Sequence, residues 1–114
     1  MKITGAGKLL RIFIGESDQL GGRPLYDAIV DRVRAEGMAG ATVIRGIEGF
    51  GAHSRLHTTR ILRLSEDLPV IVEIVDKPER IERALAIVDE IVTEGMVTVE
   101  DVHIFKYSHG REEG

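Results

Sequence analysis

The 114-residue chain contains no cysteine and no tryptophan, only three prolines, and 4% aromatic residues in all. Without thiols there is neither a disulfide framework nor a thiolate metal site, which fits a reducing, cytoplasmic setting. No apolar run approaches the ~20 residues of a membrane-spanning helix. The opening MKITGAGKLL also lacks the apolar centre of a secretion signal. A formal net charge of −4 speaks against general nucleic-acid binding, which depends on a positive surface, so no nucleic-acid partner is expected. What is present is an ordinary globular balance, 43% hydrophobic and 30% charged residues, over a length that suits one domain spanning residues 1–114. A core of that size gains considerably if further apolar surface is buried between subunits.

Periodicity divides the chain into strands and helices. Residues 1–7, small and glycine-bearing, read as a loose lead-in. Residues 8–14 read as a strand with Leu10, Ile12 and Ile14 on one face and Leu9, Arg11 and Phe13 on the other. A helix is expected from Pro24, where a first helical residue tolerates a missing N–H, to about Glu36. Leu25, Ile29 and Val33 form its apolar row, and Gly37 closes it. Residues 41–48 read as a second strand and residues 70–75, nearly all β-branched, as a third. Asp76, with Glu79 three positions on, has the spacing of a capping box. Ile81, Ala84, Leu85, Val88 and Ile91 then mark an amphipathic helix stopped by Gly95. A last strand is expected between Met96 and Tyr107, broken near Glu100 and Asp101, before a frayed tail.

Glu36-Gly37-Met38 and Glu94-Gly95-Met96 end the two helices with the same letters, a faint internal repeat. The order β-α-β, loop, β-α-β predicts an α+β ferredoxin-like βαββαβ sandwich, an antiparallel sheet with two helices on one face. Its other face is then wet or buried by a partner. Leu9, Arg11 and Phe13, with Ile71, Glu73 and Val75, make that face mostly apolar, with one charge of each sign. Assembly through this face is favoured over an exposed sheet, with Arg11 and Glu73 paired.

The second and third strands are separated by a basic stretch. Arg45, Arg55, Arg60 and Arg63 face only Glu48 in charge, and Gly46, Gly49 and Gly51 free the backbone. Guanidinium forks and turned backbone N–H groups suit a small anionic ligand such as a nucleotide, with Arg45, Arg55 and Arg60 as candidate contacts. A solvated loop with scattered arginines is the alternative. No Gly-x-x-x-x-Gly-Lys-Ser/Thr occurs, so this is not a P-loop. His53 and His57 have i, i+4 spacing, but they lack a third ligand and sit near helix-breaking glycines, so they are only weak metal candidates. Ser54 beside His53 forms no recognisable triad or nucleophile elbow, and the chain is not expected to be an enzyme. Glu66 and Asp67 read as turn residues.

Arg45-Gly46 through Gly49-Phe50-Gly51, then His57-Thr58, and Leu68-Pro69 leading into Glu73-Ile74-Val75, resemble the nitrogen-regulatory PII superfamily. The opening KLLRIFIGE (residues 8–16) brings the chain nearest to a divergent PII-like family of bacteria and archaea. The resemblance implies a ferredoxin-like homotrimer whose sheets face the threefold axis, with ATP, ADP or AMP in clefts between subunits. It also implies that Gly49 and Gly51 root a long T-loop-like segment, about residues 49–67, which touches a membrane transporter or regulator. Phe50, His53, Ser54, His57 and Thr58 would then form the contact with that partner. Two departures stand out. The Gly-rich, Lys-containing B-loop of PII proteins is replaced by residues 93–97, and no Tyr occurs between Phe50 and Leu68 to be uridylylated. Lys106, Tyr107 and Arg111 are alternative phosphate contacts. A CutA-like metal-responsive trimer, a relative of the same architecture, is the second expectation.

Overall fold

Period-2 alternation in two segments rich in β-branched residues builds the centre of the molecule. A computed structural model describes residues 2–50 and 67–108. In it β1 (Lys2–Gly15) lies antiparallel to β5 (Pro69–Asp76), with Ile12 opposite Val72 and Arg11 opposite Glu73. β6 (Met96–Ser108) flanks β1 and β4 (Thr42–Arg45) flanks β5, giving an antiparallel sheet in the order β4-β5-β1-β6. Helix α1 (Leu25–Ala35) connects β1 to β4 across β5, and α2 (Pro78–Ile91) connects β5 to β6 across β1. This is the expected α+β ferredoxin-like arrangement. A short ribbon of β2 (Gln19–Leu20) and β3 (Arg23–Pro24), absent from the sequence reading, lies between β1 and α1.

The core sits between the helices and one sheet face. Leu10, Ile12, Ile14, Val70, Val72 and Ile74 meet Leu25, Ile29 and Val33 of α1 and Ile81, Ala84, Val88 and Ile91 of α2.

Several boundaries differ from expectation. Residues 2–7 are not a loose lead-in but the first half of β1, paired with the far half of β6 around a register shift between Ile3 and Gly5. β6 is not broken at Glu100 and Asp101, because each acid has a cross-strand cation. Lys8 Nζ lies 2.7 Å from Asp101, and Arg11 Nη1 lies 2.9 Å from Glu100. Opposite charges across a ladder favour pairing, so residues that read as a break stabilise the register. β4 ends at Arg45, short of Glu48, because its partner β5 begins at Pro69, next to Arg45's pair Val70.

Asp76 forms no capping box. The residue before α2 is Lys77, and Asp76, fully buried, accepts the Lys77 N–H at 2.7 Å and the Ala39 N–H at 2.8 Å. It therefore ties the α1–β4 turn to the end of β5. Tyr107 adds to this tie, its hydroxyl donating to the Ala39 carbonyl at 3.1 Å.

The Glu-Gly-Met repeat is one of letters and not of structure. After α1, Gly37 at φ +84° donates to the Arg34 carbonyl and Met38 to the Val33 carbonyl, a Schellman closure with Met38 in the core. α2 ends at Ile91 and is capped by Val92, whose N–H donates to the Val88 carbonyl, and Gly95 comes three residues after that cap. There a Cβ would stand 2.6 Å from the Phe13 carbonyl oxygen, so Gly95 is selected by close approach to β1. Met96, unlike Met38, is exposed.

Candidate functional site

The long segment between β4 and β5 leaves and rejoins the sheet beside the β1–α1 connection, and named side chains bind its two stems there. On the returning stem, Asp67 Oδ1 accepts the Ser17 N–H at 2.7 Å and the Leu68 carbonyl accepts the Glu16 N–H at 2.8 Å. Asp67 lies so close to Gly15 that a Cβ there would overlap its carboxylate, so any larger residue would dislodge the contact. Asp18 Oδ2 in turn accepts the Gly15 N–H at 2.9 Å and holds the turn closed. On the departing stem, Gly46 donates to the Pro69 carbonyl at 2.7 Å, and Cβ atoms at Gly46 and Gly49 would crowd the Pro69 ring at 2.7 and 3.1 Å. The Arg45 guanidinium is ion-paired with Glu16.

Among the expected ligand contacts, Arg45 and Gly49 are thus brought to one end of the sheet. Gly51, Arg55 and Arg60 lie outside the described residues, as do His53, Ser54, His57 and Thr58 of the expected partner loop. Phe50 is described and strongly exposed, as is Ile47 on the same stem. Among the described residues no group of three or more His, Asp or Glu could hold a metal ion. Of the alternative phosphate contacts, Lys106 and Tyr107 lie near the opposite end of the sheet, where β1 and β6 pair beyond Asp76, and Arg111 is outside the described residues.

Sequence reading missed Gly15, Glu16, Asp18 and Pro69 as anchors. Its turn assignment for Asp67 did not foresee a bond to a segment 50 residues away. A Gly-Glu-Ser-Asp run after a strand carries only a turn signal, and nothing local announces its distant partner.

The helix-free face has the predicted composition. Leu9, Arg11, Phe13, Ile71 and Glu73 are half-buried, and Ile44, Val75 and Met96 are exposed. Arg11 Nε lies 2.8 Å from Glu73, the pair expected from sequence, and Glu100 joins it from β6. The hydrogen bond to Glu73, helped by both carboxylate charges, raises the Arg11 pKa further above its ordinary value.

The fold is similar to that of solved structures. A protein from Thermus thermophilus described as PII-like in signalling superposes with a TM-score of 0.63 at 20% identity, over 89% of this chain and 91% of that one. CPII from Thiomonas intermedia K12, bound to ADP and bicarbonate, superposes with a TM-score of 0.59 at 18% identity, over 87% and 88%. The fold is therefore that of the PII-like proteins.

Within that fold the chain belongs to the family described as DUF190, Uncharacterized ACR, COG1993, whose model matches residues 7–104. A UPF0166 protein of Aquifex aeolicus (strain VF5) is 39% identical over 99 residues, 85% of this chain and 91% of the relative. A UPF0166 protein of Methanocaldococcus jannaschii is 38% identical over 100 residues, 87% and 92% respectively.

Proposed function

We propose that this chain is a PII-like regulatory protein rather than an enzyme. It assembles as a homotrimer through the helix-free sheet face and takes a small anionic ligand, an adenine nucleotide (ATP, ADP or AMP), in the clefts between subunits. Arg45, Gly49, Gly51, Arg55 and Arg60 serve the ligand, and the loop of residues 49–67 meets a membrane transporter or a regulator. The observation that carries this reading is the joint placement of a mostly apolar, helix-free face and a long excursion rooted at one end of the same sheet. The PII-like fold supports it, and so does the ADP bound to CPII, a protein of that fold. Among the described residues no helix is long and apolar enough to cross a membrane.

Light scattering and a thermal-shift panel of ATP, ADP and AMP test the two halves separately. Binding to the native state raises the melting temperature in proportion to the logarithm of ligand concentration over Kd. A trimer mass and stabilisation by at least one nucleotide are expected. A single-chain mass removes the intersubunit cleft. A trimer that no nucleotide stabilises at millimolar concentration removes the nucleotide.

A further inference from the structure

The Arg45–Glu16 pair has a property that the other stem contacts lack. Each of the others uses a backbone group or a close packing contact, whereas this one joins two side chains whose backbones are fixed independently. The Glu16 N–H is held by the Leu68 carbonyl, and Gly46, the next residue after Arg45, is held by the Pro69 carbonyl and packed on the Pro69 ring. Breaking the ion pair therefore requires a swing of side chains and no unfolding of either stem. The Arg45 side chain is 62% exposed, against 28% for Glu16, so the guanidinium can be approached from solvent while its carboxylate partner is more sheltered.

We propose that Glu16 is a built-in competitor for the anion site, a carboxylate that occupies the Arg45 guanidinium until a phosphate-bearing ligand displaces it. This rests on the reading of Arg45 as a ligand contact and adds how that contact is regulated. A guanidinium presents the same fork to carboxylate and phosphate oxygens, so one occupant excludes the other from that edge. Glu16 lowers apparent affinity because it must be displaced from the guanidinium before phosphate oxygens can take its place. Once displaced, its carboxylate turns to solvent beside the loop stems, so ligand binding changes the charge presented at the root of residues 49–67. The coupling is reciprocal: a partner that draws Glu16 away from Arg45 strengthens phosphate binding by the same factor.

Isothermal titration of ADP, ATP and inorganic phosphate into the full-length wild type, Glu16→Gln, Arg45→Gln and the double variant tests this. A partly exposed ion pair is worth little in water, so Glu16→Gln should bind about two- to fivefold tighter than wild type. Arg45→Gln should bind more weakly, and in its background Glu16→Gln should give no gain. Circular dichroism and the assembly mass of each variant establish that it is folded. Glu16→Asp, too short to reach Arg45 in the same geometry, provides a second test and should also tighten binding. Equal or weaker binding by Glu16→Gln, with wild-type binding intact, overturns the competitor role and leaves the proposed function standing. A gain that persists in the Arg45→Gln background overturns it as well, because Glu16 would then act through its charge alone. Absence of binding by wild type and Glu16→Gln alike, for all three probes, overturns both the competitor role and the nucleotide reading.

Discussion

The two faces of one sheet are made by the same strands, one residue out of phase, and they come to very different ends. On the helix side Leu10, Ile12 and Val72 are 0% exposed and Ile74 is 1% exposed. One residue along, Val75 is 43% exposed; on the edge strands the difference fades, since Val43 and Val97 on the helix side are 39% exposed against 41% for Ile44. Their treatment of charge differs too. The helix side encloses one carboxylate, Asp76, and holds it with the backbone N–H groups of Lys77 and Ala39, with the Arg80 guanidinium 3.6 Å away. The bare face keeps Arg11, Glu73 and Glu100 as a side-chain network, each still partly exposed. A buried charge needs fixed donors because no water can replace a lost one, whereas a half-wet network tolerates the loss of a member. Over the central strands β1 and β5 the helix side is closed within the chain, and the other face is left half-exposed.

The largest expected effect lies at the centre of the helix side. Ile12→Ala should destabilise the fold by about 2–5 kcal/mol in urea titration, because the removed atoms leave a cavity beneath two helices. A loss below about 1 kcal/mol would mean that Ile12 does not sit in a closed core. Asp76→Ala should cost about 1–3 kcal/mol, since it strands the N–H of Ala39 and of Lys77. Asp76→Asn should recover part of this through its remaining carbonyl acceptor, and equal losses for the two variants would deny the bonding role.

Across the sheet, Phe13→Ala should lower single-chain stability less than Ile12→Ala while lowering the assembly mass seen by light scattering. An unchanged mass would show that this face makes no contact between copies.

The smallest effect belongs to the exposed Lys8–Asp101 pair, which affects pH dependence more than stability. Its hydrogen bond holds the Asp101 carboxyl below its ordinary pKa of 3.8 and the Lys8 ammonium above its ordinary 10.5. The depressed acid contributes stability above pH 3.8, which is lost as pH falls through the lower folded value. The raised base contributes fully below pH 10.5, and that part is lost as pH rises through the higher folded value. The stability gap between wild type and Asp101→Asn should therefore be widest near neutrality and shrink toward both extremes. Urea midpoints at about pH 3, 7 and 11 measure it, and a gap independent of pH would assign the difference to something other than this pair.

Much of the bare face is legible in the sequence, because alternation in β1 and β5 assigns each residue to a side whatever lies above it. The Arg11–Glu73 pairing followed from the same alternation and a central β1–β5 ladder. The candidate site was legible only as an inventory of arginines and glycines, and of that inventory Arg45 and Gly49 can be placed at the stem. The residues that fasten the stems were illegible, since Gly15 and Asp67 meet across a sequence gap that no window of local pattern spans. The Glu-Gly-Met repeat failed for a related reason. Identical letters close α1 by a backbone turn at Gly37, but at Gly95 they answer a carbonyl of another strand.

The order of strands and helices, their inward faces and the helix-free surface were determined by the sequence alone, because period and turn chemistry act over a few residues. That Glu100 and Asp101 serve as cross-strand partners, what Asp76 binds, and why Arg45 rests on Glu16 were decided only by tertiary structure. Those contacts depend on register and on stems meeting in space, and hydrogen bonds and ion pairs fall off too steeply with distance for chain position to foretell them.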